Sequence, residues 1–255
     1  MRSATEHNKI IYLNSIGINQ SQISKILDIP RSTIRDHIKN DKNNYINPFN
    51  PEELNKNQQK AYSYILGQYL GDGCLSKAPN FEKKQVWKLR IFTDCKHPNI
   101  TNQCKNSLKL LFPNNKSTAI TIYYKNKPSC NELVIYNKQL IHYFPQHDIG
   151  KKHERKIMLL PWQENIINLY PHDFIKGLFH SDGCRFISNN RIIYQFTNCS
   201  IDIINLYSNI LNKLNIEHRV RKKTMGKKNV TQAYNVFVNK KKYIPIMESF
   251  LGPKD

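Results

Sequence analysis

The feature that most constrains this chain is a short motif that occurs twice. Residues 67–74 read GQYLGDGC and residues 177–184 read GLFHSDGC, so each copy has a glycine, four further residues and then Asp-Gly-Cys. A second match follows in the same order, because FTDC at 92–95 recurs as FTNC at 196–199. One such match arises easily by chance, whereas a repeated order of elements indicates a duplicated half-domain.

Each copy of the motif predicts a helix that ends at an aspartate, Asp72 in the first copy and Asp182 in the second. The glycine that follows, Gly73 or Gly183, predicts a left-handed cap at the helix end. The helix dipole disfavours a carboxylate in the last turn by about 0.3–1 kcal/mol. An aspartate at this position in both copies therefore points to a function rather than to stability.

The two motif helices are predicted to pack against each other. Small residues four positions apart let two helix backbones approach closely, and each copy has such a pair, Gly67 with Gly71 and Gly177 with Ser181. The candidates for the interface are Gly67 and Gly177. Such packing would bring both aspartates to the same end of the interface, where they repel unless a cation lies between them. Oxygen ligands alone favour Mg²⁺, or Mn²⁺. Where the partner of such a site is a nucleic acid, a divalent metal of this kind indicates phosphodiester hydrolysis.

The charge of the chain indicates a polyanionic partner. Lys and Arg number 39 against 19 Asp and Glu, which gives a net charge of +20, and the pI is about 9.7. Nucleic acid is the commonest partner of such a protein. No apolar run reaches the length of roughly 18–20 residues that spans a bilayer, and the polar start does not resemble a signal peptide. We therefore expect an intracellular protein without a membrane partner. The six cysteines lack zinc-binding spacing and are expected to be reduced thiols.

The first forty residues have the pattern of a helix-turn-helix. Apolar residues fall at helical spacing in three runs, with Gly17 closing the first helix and Ile23, Ile26 and Leu27 as the apolar positions of the second. A third helix would expose polar residues that can enter the major groove of DNA. These candidate DNA-binding residues are Arg31, Ser32, Thr33 and Arg35. The alternative is a plain three-helix bundle with a solvated basic face.

Alternating apolar and polar residues predict strands downstream of each motif helix. Residues 86–91, 119–124, 132–136, 191–196 and 232–238 have this pattern, and residues 219–223 lead into a basic hairpin tip at 225–228. Basic residues on one face of such a sheet can meet base edges or phosphates in the major groove, or be merely solvated. The candidates are Lys88, Arg90, Arg191, Arg219, Arg221 and Lys223.

The paired motifs resemble the LAGLIDADG homing endonucleases, in the single-chain form that carries two motifs. The resemblance covers about residues 58–255. It implies that Asp72 and Asp182 bind the metal together with the carbonyl groups of Gly71 and Ser181. It also implies a basic catalytic residue just before an apolar-x-Pro segment. The nearest match to that residue is Lys156, with Lys152 as the second choice, and the second half has no clear counterpart.

The expected fold class is α+β. Two pseudo-symmetric αββαββα halves share a helix interface and turn antiparallel sheets towards DNA, and a small all-α helix-turn-helix domain precedes them. The expected boundaries are 1–45 for the helix-turn-helix, 46–58 for a linker, 59–150 for the first half, 151–171 for a linker between the halves and 172–255 for the second half.

The resemblance implies a site-specific endonuclease that cuts double-stranded DNA with a divalent metal and acts as a monomer. Two alternatives use the same scaffold. One is a transcription regulator that binds DNA without cutting it, since such regulators combine a degenerate LAGLIDADG scaffold with a helix-turn-helix. The other is an RNA maturase. A regulator has no need of two acids in a basic groove, and a helix-turn-helix favours duplex DNA over RNA.

Overall fold

A computed structural model describes residues 4–15, 18–41, 50–148, 150–223 and 231–252. The closing Gly17, residues 46–49 of the first predicted linker, the basic hairpin tip and residues 253–255 lie outside the described residues. Within the described ranges, no helix combines the length and the apolarity needed to cross a membrane.

Three short helices form the N-terminal module. They are α1 (Ala4–Ser15), α2 (Gln20–Leu27) and α3 (Arg31–Asp41). Asn19 caps α2, because its side chain accepts a hydrogen bond from the backbone N–H of Gln22. The helices enclose a core of their own, made of Ile10, Leu13, Ile23, Ile29 and Ile34.

One apolar residue of the second helix lies outside this core. Ile26 is 52% exposed. The turn after α2 supplies Ile29 to the small core, and Ile26 lines a cavity with Asp148, Lys156 and Met158 of the body.

The first half follows the predicted order of elements. It contains α4 (Lys56–Asp72), β1 (Gly73–Lys77), the single turn α5 (Phe81–Lys84), β2 (Trp87–Asp94), α6 (Pro98–Leu111), β3 (Thr118–Tyr124), β4 (Lys127–Asn137) and α7 (Leu140–Tyr143). Asn55 caps α4. The helix therefore begins inside the segment that was predicted to be a linker.

The second half repeats this order. It contains α9 (Pro171–Asp182), β5 (Gly183–Ser188), β6 (Arg191–Asn198), α10 (Ile201–Lys213), β7 (Arg219–Lys222), β8 (Tyr234–Val238) and α11 (Ile244–Leu251). Between the halves, residues predicted as a linker contain the helix α8 (Pro161–Leu169). Pro161 begins this helix, where its missing N–H costs no hydrogen bond.

Each half contributes one antiparallel sheet of four strands. The first sheet has the order β1-β2-β4-β3 and the second has the order β5-β6-β8-β7. One face of each sheet carries the buried residues, Leu89, Ile91, Leu133 and Ile135 in the first and Tyr194, Phe196, Val236 and Val238 in the second. We call the opposite side the outer face. The expected α+β class with two antiparallel sheets is confirmed.

The glycines that close the motif helices do not adopt the predicted left-handed conformation. Gly73 has φ −93° and Gly183 has φ −92°, so each helix passes directly into an extended strand. Each position requires glycine because a side chain would collide with the preceding turn of the helix. A Cβ on Gly73 would lie 2.5 Å from Cα of Tyr69, and one on Gly183 would lie 2.5 Å from the carbonyl oxygen of Phe179.

The second sequence match is present but is displaced by one position in the sheets. Gly73 pairs with Ile91, whereas Gly183 pairs with Phe196, so Ile91 and not Phe92 is the structural equivalent of Phe196. Asp94 and Asn198 therefore point to opposite faces of their sheets. Asn198 reaches the end of α9, and Asp94 is exposed.

A half-buried histidine makes the fold sensitive to acid. His147 packs edge-on against Trp87 with ring centroids 4.6 Å apart. Burial, reinforced by the charge of Arg155, lowers the pKa of His147 to about 4. The unfolded chain binds the proton near pH 6.5 and the folded chain does not, so stability falls as the pH drops from about 6.5 to 4.

We expect His147→Gln to weaken this loss. The wild type should lose about 1–3 kcal/mol of unfolding free energy to this group over that range. Urea unfolding of both proteins at several pH values measures it. The stability difference between the two proteins should be constant above pH 7 and shift in favour of the variant towards pH 4. Parallel curves over the whole range would contradict this role.

Candidate active site

The body is organised around the contact between α4 and α9, the two motif helices. A Cβ on Gly67 would lie 2.6 Å from the carbonyl oxygen of Phe174, and one on Gly177 would lie 2.1 Å from that of Tyr64. Real Cβ atoms do not approach carbonyl oxygens so closely. The structure thus places both predicted interface glycines where the two backbones touch, and both helices run from this contact to an aspartate.

The aspartates lie at the same end of the helix pair. Both helices end at their aspartate, as the motif spacing predicted. A Cβ on Gly71 would lie only 3.0 Å from Oδ2 of Asp182, which places that carboxylate against the end of α4. Asp182 also accepts a hydrogen bond of 2.8 Å from the Asn198 side chain. The paired motifs therefore converge on one place.

Lys152 extends a buried ammonium group into this place. Its Nζ donates hydrogen bonds to the carbonyl oxygens of Tyr69 and Gly71, the latter at 2.8 Å. Burial lowers the pKa of Lys152 to about 8, an effect opposed by the negative charges of Asp182 and Asp72. The ammonium is thus held by the last turn of α4 and by the field of both carboxylates.

Lys156, the first choice from the sequence, lies elsewhere. It lines a separate cavity between the body and the N-terminal module, together with Lys9, Asp148 and Met158. The reason is the path of the chain. A single 3₁₀ turn over Lys152–Glu154 directs Lys152 towards the aspartates, and the chain then leaves the cleft before residue 156. Spacing from the downstream proline could not distinguish the two lysines.

A cleft of about 1160 Å³ opens onto Asp182 and onto Gly71 and Gly73, the neighbours of Asp72 in the chain. Asp182, Lys152, Gly71 and Asn198 line its centre. Basic side chains surround this centre and give the cleft a positive rim, and they include Lys77, Lys151 and Arg155. The volume and the charge suit a polyanion larger than a small metabolite.

The basic candidates of the first sheet are partly neutralised. Lys88 and Arg90 lie on the outer face, but Nζ of Lys88 is 3.5 Å and Nε of Arg90 is 3.9 Å from the carboxylate of Glu132. Ion pairing within the sheet reduces the positive charge that these two residues present to a ligand.

The basic candidates of the second sheet are more open. Arg219 and Arg221 lie opposite Phe237 and Asn235 on the outer face, and both are exposed. Arg191 begins β6 and is also exposed, and Lys223 directly follows β7. In the N-terminal module, Arg31, Ser32 and Arg35 are exposed on α3 and Thr33 is half-buried. The predicted DNA-binding residues therefore occupy surfaces that a ligand can reach.

The oxygen donors at the helix ends fit a hard divalent cation. The two carboxylates are accompanied by the backbone carbonyls of Gly71 and Ser181, and Mg²⁺ and Mn²⁺ favour such oxygen ligands. The carbonyl of Gly71 already accepts a hydrogen bond from a cation, the ammonium of Lys152. Among the described residues, no three His, Cys, Asp or Glu side chains cluster as metal ligands, so backbone or solvent oxygen would have to complete the site.

Two αββαββα halves are joined through helices that each end in an aspartate. Residues 170–246 match the family model described as a LAGLIDADG-like domain. The first half carries the same order of elements, although its sequence lies outside the match.

Comparison with solved structures supports this fold. Mesophilic variants of the homing endonuclease I-DmoI superpose with a TM-score of 0.53 at 18% identity, over 78% of this chain and 98% of theirs. A single-residue variant of I-DmoI, in complex with its target DNA in the presence of Mg, gives 0.54 at 17% identity, over 78% and 99% of the two chains. Full-length DUF199/WhiA from Thermatoga maritima gives 0.51 at 14% identity, over 79% and 58%. No curated protein sequence matches the chain.

Proposed function

We propose that this protein is a site-specific endonuclease that cuts double-stranded DNA as a monomer with Mg²⁺ or Mn²⁺. The observation that carries the proposal is the convergence of Asp72, Asp182 and the buried ammonium of Lys152 at one end of the motif helices. Two carboxylates on a protein of net charge +20 would repel phosphate unless they served a cation. An enzyme that cleaves phosphodiesters with a metal ion would require such a pair of carboxylates despite this repulsion.

The residues around the ends of the motif helices would have separate roles in cleavage. Asp72 and Asp182, with the carbonyls of Gly71 and Ser181, would hold the metal. When bound, the metal would supply charge neutralisation at the scissile phosphate and an activated water. Lys152 places a positive charge beside the same phosphate and can stabilise the charge that develops during cleavage. Asn198 fixes the carboxylate of Asp182 through its side-chain amide.

The outer faces of the sheets and the N-terminal module would bind the DNA. Exposed basic residues on β7 and α3 suit the phosphate backbone and the major groove. We propose that the N-terminal module is a helix-turn-helix that extends the contact with DNA on one flank. The competing function is a regulator that binds DNA on this scaffold without cutting it, and the paired aspartates disfavour it.

Mapping of new DNA ends tests the proposed function. The protein is incubated with sheared genomic DNA from its source in Mg²⁺, Mn²⁺ or Ca²⁺, and new ends are captured and sequenced. An endonuclease yields matched pairs of ends at a discrete site in Mg²⁺ or Mn²⁺. Specific binding in Ca²⁺ with no cut in any metal would establish the regulator instead.

The two lysines of the inter-half segment give a sharp comparison. We expect Lys152→Met to lower the single-turnover cleavage rate by about 10²–10⁴-fold, because a charge is lost at the reacting phosphate. Lys156→Met should cleave within a few-fold of the wild type. Both rates are measured on one mapped site, with binding followed separately in Ca²⁺. Equal losses in the two variants would remove Lys152 from the catalytic role.

A further inference from the structure

The outer face of the second sheet is neutral and partly apolar at its centre, although its edge is basic. Residues directly opposite each other in an antiparallel pair share a face, so Gln195 lies beside Phe237 and Thr197 beside Asn235. The face is opposite the buried Tyr194. Its central positions are two amides, a hydroxyl, a thiol and three apolar side chains: Gln195, Asn235, Thr197, Cys184, Ile193, Phe186 and Phe237.

A chain of hydrogen bonds holds the polar members in place. Nε2 of Gln195 donates to Oγ1 of Thr197 at 2.9 Å, and Thr197 donates to Oδ1 of Asn235 at 2.8 Å. These bonds use only part of the capacity of each amide. Gln195 retains its carbonyl oxygen and a second N–H, and Asn235 retains its amino group. The amides are thus oriented before any ligand arrives, which lowers the entropic cost of binding.

The charges on this face are confined to its margins. The described strands β5 to β8 contain no acidic residue, and the arginines of this face lie at its margins, Arg219 and Arg221 on the edge strand β7 and Arg191 at the first position of β6. In the first sheet, by contrast, Glu132 on the outer face pairs with two basic residues. The centre of the second sheet therefore presents neutral groups, with positive charge at the side where a phosphate backbone would run.

We propose that this face reads A·T base pairs next to the cut, an inference that rests on the proposed function. Adenine offers an acceptor and a donor in the major groove, which the free carbonyl and N–H of Gln195 match, and thymine offers a methyl group that apolar side chains contact. Guanine is read mainly by Arg or Lys, which this central patch lacks. Thr197 lines the cleft together with Asp182, so the bases read here lie beside the scissile phosphates.

A binding selection tests the assignment. The full-length protein is incubated with a randomised DNA duplex library in Ca²⁺, and the bound fraction is sequenced. The wild type should enrich A·T pairs at consecutive positions beside the cut mapped in Mg²⁺. Gln195→Ala should lower the preference for adenine at one of these positions by about tenfold. Gln195→Arg should shift that position towards guanine. The matched control is Gln103→Ala on α6, a helix that packs on the core side of the first sheet.

The outcomes separate this assignment from the proposed function. Enrichment of G·C pairs beside the cut, or an unchanged preference in Gln195→Ala, overturns the assignment and leaves the endonuclease intact. A selection that enriches no sequence at all contradicts site-specific binding itself. A loss of preference in Gln103→Ala equal to that in Gln195→Ala would show that the effect is global, and would also overturn the assignment.

Discussion

Asp72→Asn and Asp182→Asn should each abolish double-strand cleavage while leaving specific binding to DNA in place. We expect the cleavage rate to fall by about three orders of magnitude or more, because each substitution removes one of the two charges that would hold the metal. Affinity for DNA should stay equal or improve, since a negative charge leaves a basic cleft. Cleavage of a mapped site in Mg²⁺ and gel shifts in Ca²⁺ measure the two quantities.

Asp94→Asn is the matched control for this experiment. Asp94 occupies the position of the FTDC sequence that corresponds to Asn198 in FTNC, but it is exposed and points away from the helix ends. Its Oδ1 accepts a hydrogen bond from the backbone N–H of Lys96, which an asparagine can equally accept. The control should therefore cut like the wild type. Full cleavage by either Asp72→Asn or Asp182→Asn would refute the assigned role of the pair.

The largest effect on stability is expected from Gly177→Ala. The new Cβ would lie 2.1 Å from the carbonyl oxygen of Tyr64 and 3.1 Å from the backbone N of Gln68. Backbone cannot yield as a flexible side chain can, so α4 and α9 would have to separate. We expect a loss of about 3 kcal/mol or more of unfolding free energy, measured by denaturant titration.

Gly252→Ala supplies the comparison for this variant. No atom lies within 4 Å of a Cβ built at Gly252, and its φ is +68°. The substitution therefore tests backbone strain without a clash and should cost about 1 kcal/mol. If Gly177→Ala lost no more than Gly252→Ala, the close approach of the two helices would not be a source of stability.

Much of the fold follows from the sequence because the duplicated motif is a strong local signal. The glycines of the motif mark where two backbones touch, and the aspartates mark the helix ends, so the interface and the position of the aspartates were accessible from spacing alone. Six of the eight described strands followed from alternation of apolar and polar residues, whereas β1 and β5, directly after the motif glycines, were not predicted. These features depend on neighbours a few positions apart, which sequence patterns report well.

Other features depend on the path of the chain in three dimensions. A single 3₁₀ turn places Lys152 rather than Lys156 beside the aspartates, and sequence periodicity does not predict such a turn. The displacement between FTDC and FTNC is invisible in the sequence, because it arises from which residue of β2 or β6 pairs with the motif glycine. The left-handed conformation predicted for Gly73 and Gly183 was wrong. The steric contact with Tyr69 and Phe179 that requires glycine there cannot be inferred from the neighbouring residues in the sequence.

The two halves do not keep separate interiors. One continuous apolar core contains side chains from both, such as Leu66 and Leu70 from α4 and Phe174 and Leu178 from α9. Heat should therefore melt the duplicated body in a single cooperative step. The shared core also couples the two copies of the motif. A volume change on one motif helix alters the fit of the other, whereas the outer faces of the two sheets can be altered independently of each other.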